Sequence, residues 1–78
     1  MIKAYVLVVT TPGETKGVLA AIKDIEGVVE IHEVMGPYDI VVEIEVASLS
    51  DVPPILSDRI RTVGGIESTT SLVTFPDA

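Results

Sequence analysis

The chain repeats itself. The segment Ile22-Lys23-Asp24-Ile25-Glu26-Gly27-Val28 recurs 38 residues later as Ile60-Arg61-Thr62-Val63-Gly64-Gly65-Ile66. At the same offset Ile2, Ala4, Val6 and Val8 match Ile40, Val42, Ile44 and Val46. Alternating apolar residues mark strands, and a 3.6-residue apolar period ending in glycine marks a helix. Each half therefore reads strand, helix, strand. Two such halves in 78 residues leave room for one domain, spanning 1–78, and no second one.

The elements follow from local chemistry. Residues 2–10 are valine-rich and apolar at both parities, which predicts a strand covered on both faces. Thr11-Pro12-Gly13 breaks it. Val18, Leu19, Ile22 and Ile25 recur at helical spacing, predicting a helix over 14–26 that Gly27 stops. A second strand is expected over 28–35, with faces left unassigned because Glu30, His32 and Glu33 do not alternate. Gly36-Pro37-Tyr38-Asp39 is a turn signal between strands. A third strand over 40–47 has Ile40, Val42, Ile44 and Val46 on one face and Glu43 and Glu45 on the other. A second helix begins around Ser48-Leu49-Ser50-Asp51, with Ser50 as the expected cap and Pro53 and Pro54 in the first turn. Val52, Ile55, Leu56, Ile60 and Val63 give it an apolar stripe. A last strand is expected over 66–75, ended by Pro76.

The order β-α-β-β-α-β predicts an α+β, ferredoxin-like fold. A four-stranded antiparallel sheet carries both helices on one face. Tyr5, Leu7, Val9 and Val41 then lie on the other, open face. Composition makes that face matter. Apolar residues are 47% of the chain and mean hydropathy is +0.54, more than a domain of this size buries alone. Cysteine is absent and His32 is the single histidine, so disulfides, thiolate sites and a histidine-rich zinc site are excluded. Self-association is the remaining support, and we expect two open sheet faces to pack together.

Charge excludes other functions. A net charge of −7 with scattered Lys3, Lys16, Lys23, Arg59 and Arg61 argues against direct nucleic-acid binding. No apolar run approaches the roughly 18–20 residues of a membrane span. The N-terminus lacks the pattern of a signal peptide, so a cytoplasmic protein is expected.

Catalytic and metal chemistry find little support. No phosphate loop, nucleophile motif or ligand cluster occurs. His32 can serve as a general base, but a surface or interface histidine explains it better. Glu30, Glu33, Glu43 and Glu45 suit a solvated rim more than a cation loop. No metal, cofactor or catalytic residue is assigned, and an enzyme is not expected. The alternatives, a small dimeric ferredoxin-like enzyme using His32, Tyr38 and Asp39 or a purely structural assembly module, stay open.

Two segments invite a binding reading. In Gly36-Pro37-Tyr38-Asp39, turn chemistry explains the glycine and the aspartate. It leaves unexplained a tyrosine beside a carboxylate at a sheet edge, groups suited to an ammonium and carboxylate ligand. Ser68-Thr69-Thr70-Ser71 is a run of hydroxyls in a strand, either an ordinary polar face or a hydrogen-bonding lining at an interface.

The ordered set resembles the ligand-sensing (RAM) domain of the Lrp/AsnC family of transcription regulators. The resemblance rests on Ala4-Tyr5-Val6-Leu7-Val8 in the first strand and Ile25-Glu26-Gly27-Val28 before the second. It rests further on Val34-Met35-Gly36-Pro37-Tyr38-Asp39-Ile40-Val41-Val42, which looks like that family's G-x-Y-D hairpin, and on Gly65-Ile66-Glu67-Ser68-Thr69-Thr70. It implies a dimer of facing sheets that assembles into a higher oligomer such as an octamer or decamer. It also implies an amino acid or similar effector bound between subunits. Carried onto this chain, the ligand-binding residues are Gly36, Pro37, Tyr38, Asp39, Ser68, Thr69 and Thr70. Members of the family usually carry an N-terminal helix-turn-helix domain. This acidic chain starts at the first strand and resembles free-standing sensing domains, with full-length regulators as candidate partners in mixed oligomers.

Overall fold

The computed structural model describes residues 1–75. Strand β1 (Ile2–Thr10) forms where β-branched side chains alternate, and its residues from Ala4 onward bury every second side chain. Helix α1 (Thr15–Ile22), strands β2 (Val28–Glu33) and β3 (Ile40–Val46), a second helical stretch α2 (49–60) and strand β4 (Ile66–Val73) follow. The sheet order is β2-β3-β1-β4, with every neighbouring pair antiparallel. This is the expected ferredoxin-like arrangement, with both β-α-β crossovers laid over one face. Ala4, Val6, Val8, Ile40, Val42 and Ile44 of the central strands are sealed beneath Val18 and Ile22 of α1 and Val52 and Ile60 of α2.

The two halves are related more subtly than the repeat suggests. Gly27 and Gly65 are equivalent: each opens an outer strand with positive φ, +100° and +97°. The Gly27 carbonyl accepts from the Glu45 N–H at 2.9 Å and the Gly65 carbonyl from the Thr11 N–H at 2.8 Å. The two glycines are 38 positions apart, whereas their donors are 34 apart. The residues preceding the helices, Glu14 and Ser48, are also 34 apart. Helix α1 has 8 residues, while α2 fills positions 49–60, one turn more. The central strands thus correspond at an offset of 34, and the matched alternation at 38 is a slip of four. A pattern of period two cannot reveal an even slip, because every side chain stays on its face.

The extra turn has a local form. Ser48, not Ser50, is the cap: its hydroxyl accepts from the Ser50 N–H at 3.3 Å, and the Asp51 carboxylate accepts from the Ser48 N–H at 3.2 Å. That reciprocal box fixes the entry. A 3₁₀ turn (Leu49–Asp51), an α turn (Val52–Pro54) and a wide π turn (Ile55–Ile60) follow. Pro53 and Pro54 sit where no helical N–H is needed. The Ser57 hydroxyl donates to the Pro53 carbonyl at 2.9 Å.

Other boundaries are shorter than expected. Helix α1 stops at Ile22 because the chain must turn to bring Gly27 against β3; Ile25 donates to Ile22 and Val28 to Ile25 in tight turns. Strand β2 ends at Glu33, where the loop to β3 begins. Strand β4 ends at Val73, and Pro76 lies outside the described residues. Among the described residues no helix is long and apolar enough to cross a membrane.

The unassignable faces of β2 have a simple cause. Val28 pairs with Ile44, but Glu30 pairs with Glu43, so Val29 is an extra residue. This bulge shifts the parity. Val28 and Ile31 therefore both pack on the core, while Glu30 and His32 reach the open face. Glu67 is the matching extra residue in β4, between Ile66 opposite Thr10 and Ser68 opposite Val9.

Candidate functional site

The open sheet face is built in rows. One runs Thr70–Leu7–Val41–His32 and the next Leu72–Tyr5–Glu43–Glu30. Strands lie about 4.8 Å apart, so each row is a continuous band. The centre is apolar: Tyr5, Leu7, Val9 and Val41 stay half-exposed and Leu72 is exposed. The rim is charged. Lys3 Nζ lies 3.5 Å from Glu43 Oε2. The Glu43 carboxylate, with a smaller contribution from the Tyr5 phenol, raises the Lys3 pKa above its usual 10.5. His32 Nε2 lies 3.3 Å from Glu30 Oε1, both side chains largely in solvent.

The 36–39 loop lies at one end of the sheet and leads into β3. Its anchor is Asp39. The Asp39 Oδ2 accepts the Thr10 backbone N–H at 2.8 Å and the Thr10 hydroxyl at 3.2 Å. The Asp39 N–H donates to the Val8 carbonyl at 2.8 Å, and its carbonyl accepts from the Val34 N–H at 2.9 Å. The carboxylate thus continues the β1–β3 ladder one step beyond the Val8–Ile40 pair, just before β3 begins. Thr10 Oγ1 lies a further 2.6 Å from Thr15 Oγ1 at the start of α1. Loop, strand and helix are tied through one hydroxyl.

Sequence patterning does not single out Thr10, yet it is the one buried polar residue among those described, 5% exposed. Its counterpart at the structural offset of 34 is Ile44, which is fully buried. A threonine where the repeat calls for an aliphatic side chain is the available signal. It becomes readable only with the correct offset.

The candidate residues divide. Gly36 has φ +139°, and a Cβ there would meet nothing within 4 Å. Gly36 and Pro37 are exposed, Tyr38 and Asp39 half-buried. Ser68 and Thr70 pair with Val9 and Leu7 and share the open face. Thr69 pairs with Val8 and faces the helices, where its hydroxyl accepts from Arg61 Nε at 3.4 Å. The loop and Ser68 therefore flank Val9 and Thr10 from opposite sides of β1, about two strand spacings apart.

Among the groups weighed for catalysis or cations, Glu30 and Glu43 are cross-strand neighbours, but the charged side chains pair separately. Glu33 pairs with Lys16 of α1 at 3.8 Å, Glu43 with Lys3 and Glu30 with His32. A groove of about 640 Å³ lies at the opposite end of the sheet, between Gly27, Val46, Ala47, Pro54 and Ile55. His32, Tyr38 and Asp39 do not line it.

Comparison with known proteins agrees with this architecture. The family model for the Lrp/AsnC ligand binding domain matches residues 3–76. An uncharacterized HTH-type transcriptional regulator of Pyrococcus furiosus is 32% identical over 75 residues, covering 92% of this chain and 50% of that protein. The chain thus spans about half the length of that curated relative. The crystal structure of TTHA0845 from Thermus thermophilus superposes with a TM-score of 0.94 at 27% identity, covering 100% of this chain and 98% of that one. The transcriptional regulator NMB0573 of Neisseria meningitidis, solved as an L-Met complex, shares the fold with a TM-score of 0.84 at 12% identity over 97% of this chain and 51% of that one. The chain belongs to the Lrp/AsnC ligand-binding-domain family.

Proposed function

We propose that the chain is an oligomeric regulatory module that binds an amino acid or a similar small zwitterion at subunit junctions. The observation that carries this is the anchoring of the 36–39 loop. Asp39 commits one carboxylate oxygen to Thr10, which fixes the loop while Gly36 and Tyr38 remain accessible. The exposed loop backbone suits a ligand carboxylate, and the second Asp39 oxygen an ammonium group. Ser68 and Thr70 add hydroxyls from the open sheet face, supplied in part by a neighbouring subunit. Thr69 supports the strand from behind, through Arg61. The L-Met complex of a protein with this fold supports the ligand class.

In this reading the apolar centre of the open face pairs with a second copy. The net charge of −7 supports action without direct DNA contact. The output passes instead through assembly with partners, full-length regulators of the family among them, to modulate transcription or metabolism. This reading assigns catalysis no role, and His32 sits in solvent beside Glu30.

A thermal-shift and calorimetric panel of the twenty amino acids tests the proposal. A ligand at a hundred times its dissociation constant adds about 2.7 kcal/mol of stability. Asp39→Ala should abolish that gain. If no amino acid stabilises the protein, the sensing reading fails.

A further inference from the structure

The groove at the end of the sheet opposite the 36–39 loop is a product of the unequal helices. At Gly65 the start of α1 packs directly on the glycine: a Cβ there would stand 2.9 Å from Glu14 Cβ and 3.0 Å from Val18 Cγ2. At the equivalent Gly27 none of the three nearest atoms comes from the entry of α2. A Cβ would instead meet Ile55 Cδ1 at 3.0 Å, the tip of a side chain well past the Ser48 cap, and then Ile44 and Val46 of β3 at 3.8 Å. The extra turn thus holds the entry of α2 away from the outer strand. The space it leaves is a groove of about 640 Å³, a size that takes a small molecule.

The lining is of two kinds. Val46, Ala47, Pro54 and Ile55 make it apolar along its length. Glu26 and Glu45 flank it from the β2 entry and β3, and Asp51 and Asp58 from α2. Arg59 is the one basic side chain beside them. Among the described residues none of these four carboxylates forms an ion pair. Nor do they converge: no group of three acidic or histidine side chains among those described could hold a metal ion. Asp51 and Asp58 stand seven residues apart on α2, about 10 Å along its axis. A compact cation is therefore the wrong shape for this groove.

We infer that the groove binds a linear aliphatic polyamine. Its methylene segments lie along Val46, Pro54 and Ile55, as the stems of lysine side chains cover apolar surface. Its ammonium groups reach the carboxylates on either side as charge-assisted donors. Separated carboxylates along an apolar lining call for separated charges on an apolar chain, and the span from Asp51 to Asp58 matches a triamine such as spermidine. A free amino acid fits poorly, because its own carboxylate would meet four others. None of residues 36–39 or 68–70 lines the groove, so the inference stands or falls apart from the amino-acid panel.

Titration with spermidine, followed by amide NMR shifts at about 0.15 M salt, tests it. One spermidine should saturate each chain, with the shifts centred on Gly27, Val46, Ala47, Asp51 and Ile55. Glu26→Gln combined with Asp58→Asn should weaken binding at least ~10-fold, since two charge-assisted contacts are lost. Glu30→Gln combined with Glu67→Gln removes the same charge outside the groove and should leave the affinity unchanged. Mg²⁺ at the same concentration should not displace spermidine. Shifts that fail to saturate or spread over the whole acidic surface, equal weakening by the two double variants, or displacement by Mg²⁺ would each reduce the effect to diffuse attraction and overturn the inference. So would a lysine-rich peptide that moves the groove amides where spermidine does not, which would assign the groove to a protein partner.

Discussion

The backbone N–H of Thr10 donates to Asp39 Oδ2 at 2.8 Å, placing a side chain where β1 would otherwise meet a third-strand carbonyl. Thr10 is almost fully buried, so its N–H has no water to fall back on. Asp39→Ala should cost about 1–3 kcal/mol in urea or guanidinium unfolding, the usual penalty for an orphaned buried donor. Asp39→Asn retains an acceptor and should cost less. Thr10→Val keeps the backbone bond and loses only the hydroxyl contacts to Asp39 and Thr15, at about 1 kcal/mol. A ranking in which Thr10→Val exceeds Asp39→Ala would show that the ladder extension is not what matters.

Gly65 and Gly36 both have positive φ, but their surroundings differ. A Cβ at Gly65 would stand 2.9 Å from Glu14 Cβ and 3.0 Å from Val18 Cγ2, whereas at Gly36 it would meet open space. Gly65→Ala adds a clash against α1 to a backbone cost of about 1–3 kcal/mol, and Gly36→Ala carries the backbone cost alone. Thermal unfolding of the two variants should place Gly65→Ala clearly lower.

Leu7 occupies the middle of the open face, between Val41 and Thr70. Leu7→Lys should leave the far-ultraviolet circular dichroism unchanged and lower the sedimenting mass, since the side chain lies outside the helix-covered core. A variant that keeps wild-type mass would remove the sheet-face dimer from the proposal.

The Lys3–Glu43 pair has a pH signature. Because the Glu43 carboxylate raises the Lys3 pKa above 10.5, the folded state holds that proton more tightly than the unfolded chain. The pair's stabilisation is complete below the ordinary lysine pKa. It is lost as pH climbs through the raised value, so it does not vary near neutrality. An NMR titration of the Lys3 side chain should find its midpoint alkaline of 10.5, and Glu43→Gln should lower it.

Much of this was legible in the sequence. Val6, Val8, Ile40, Val42 and Ile44 alternate without interruption, and the core is built from them. The glycines ending each helical pattern mark the entries to β2 and β4. Other features were not legible, for definite reasons. Ser48 and Ser50 are both acceptable caps, and only the reach of Asp51 to the Ser48 N–H selects between them. The hydroxyl run at 68–70 looks like one surface, but strand parity sends Thr69 to the helix side, away from Ser68 and Thr70.

Period and composition, both local properties, were enough for the class of fold, the duplicated halves and the apolar open face, whereas the ligand reading of the 36–39 loop came from the family resemblance. How the halves correspond needed the folded chain. A turn added to α2 moves the central strands by four positions, and a period-two pattern is unchanged by an even shift. With the offset corrected, the repeat that organises the chain exposes its own exception. Thr10 stands where symmetry calls for an aliphatic residue, and Asp39, just before the start of the neighbouring strand, supplies its partner.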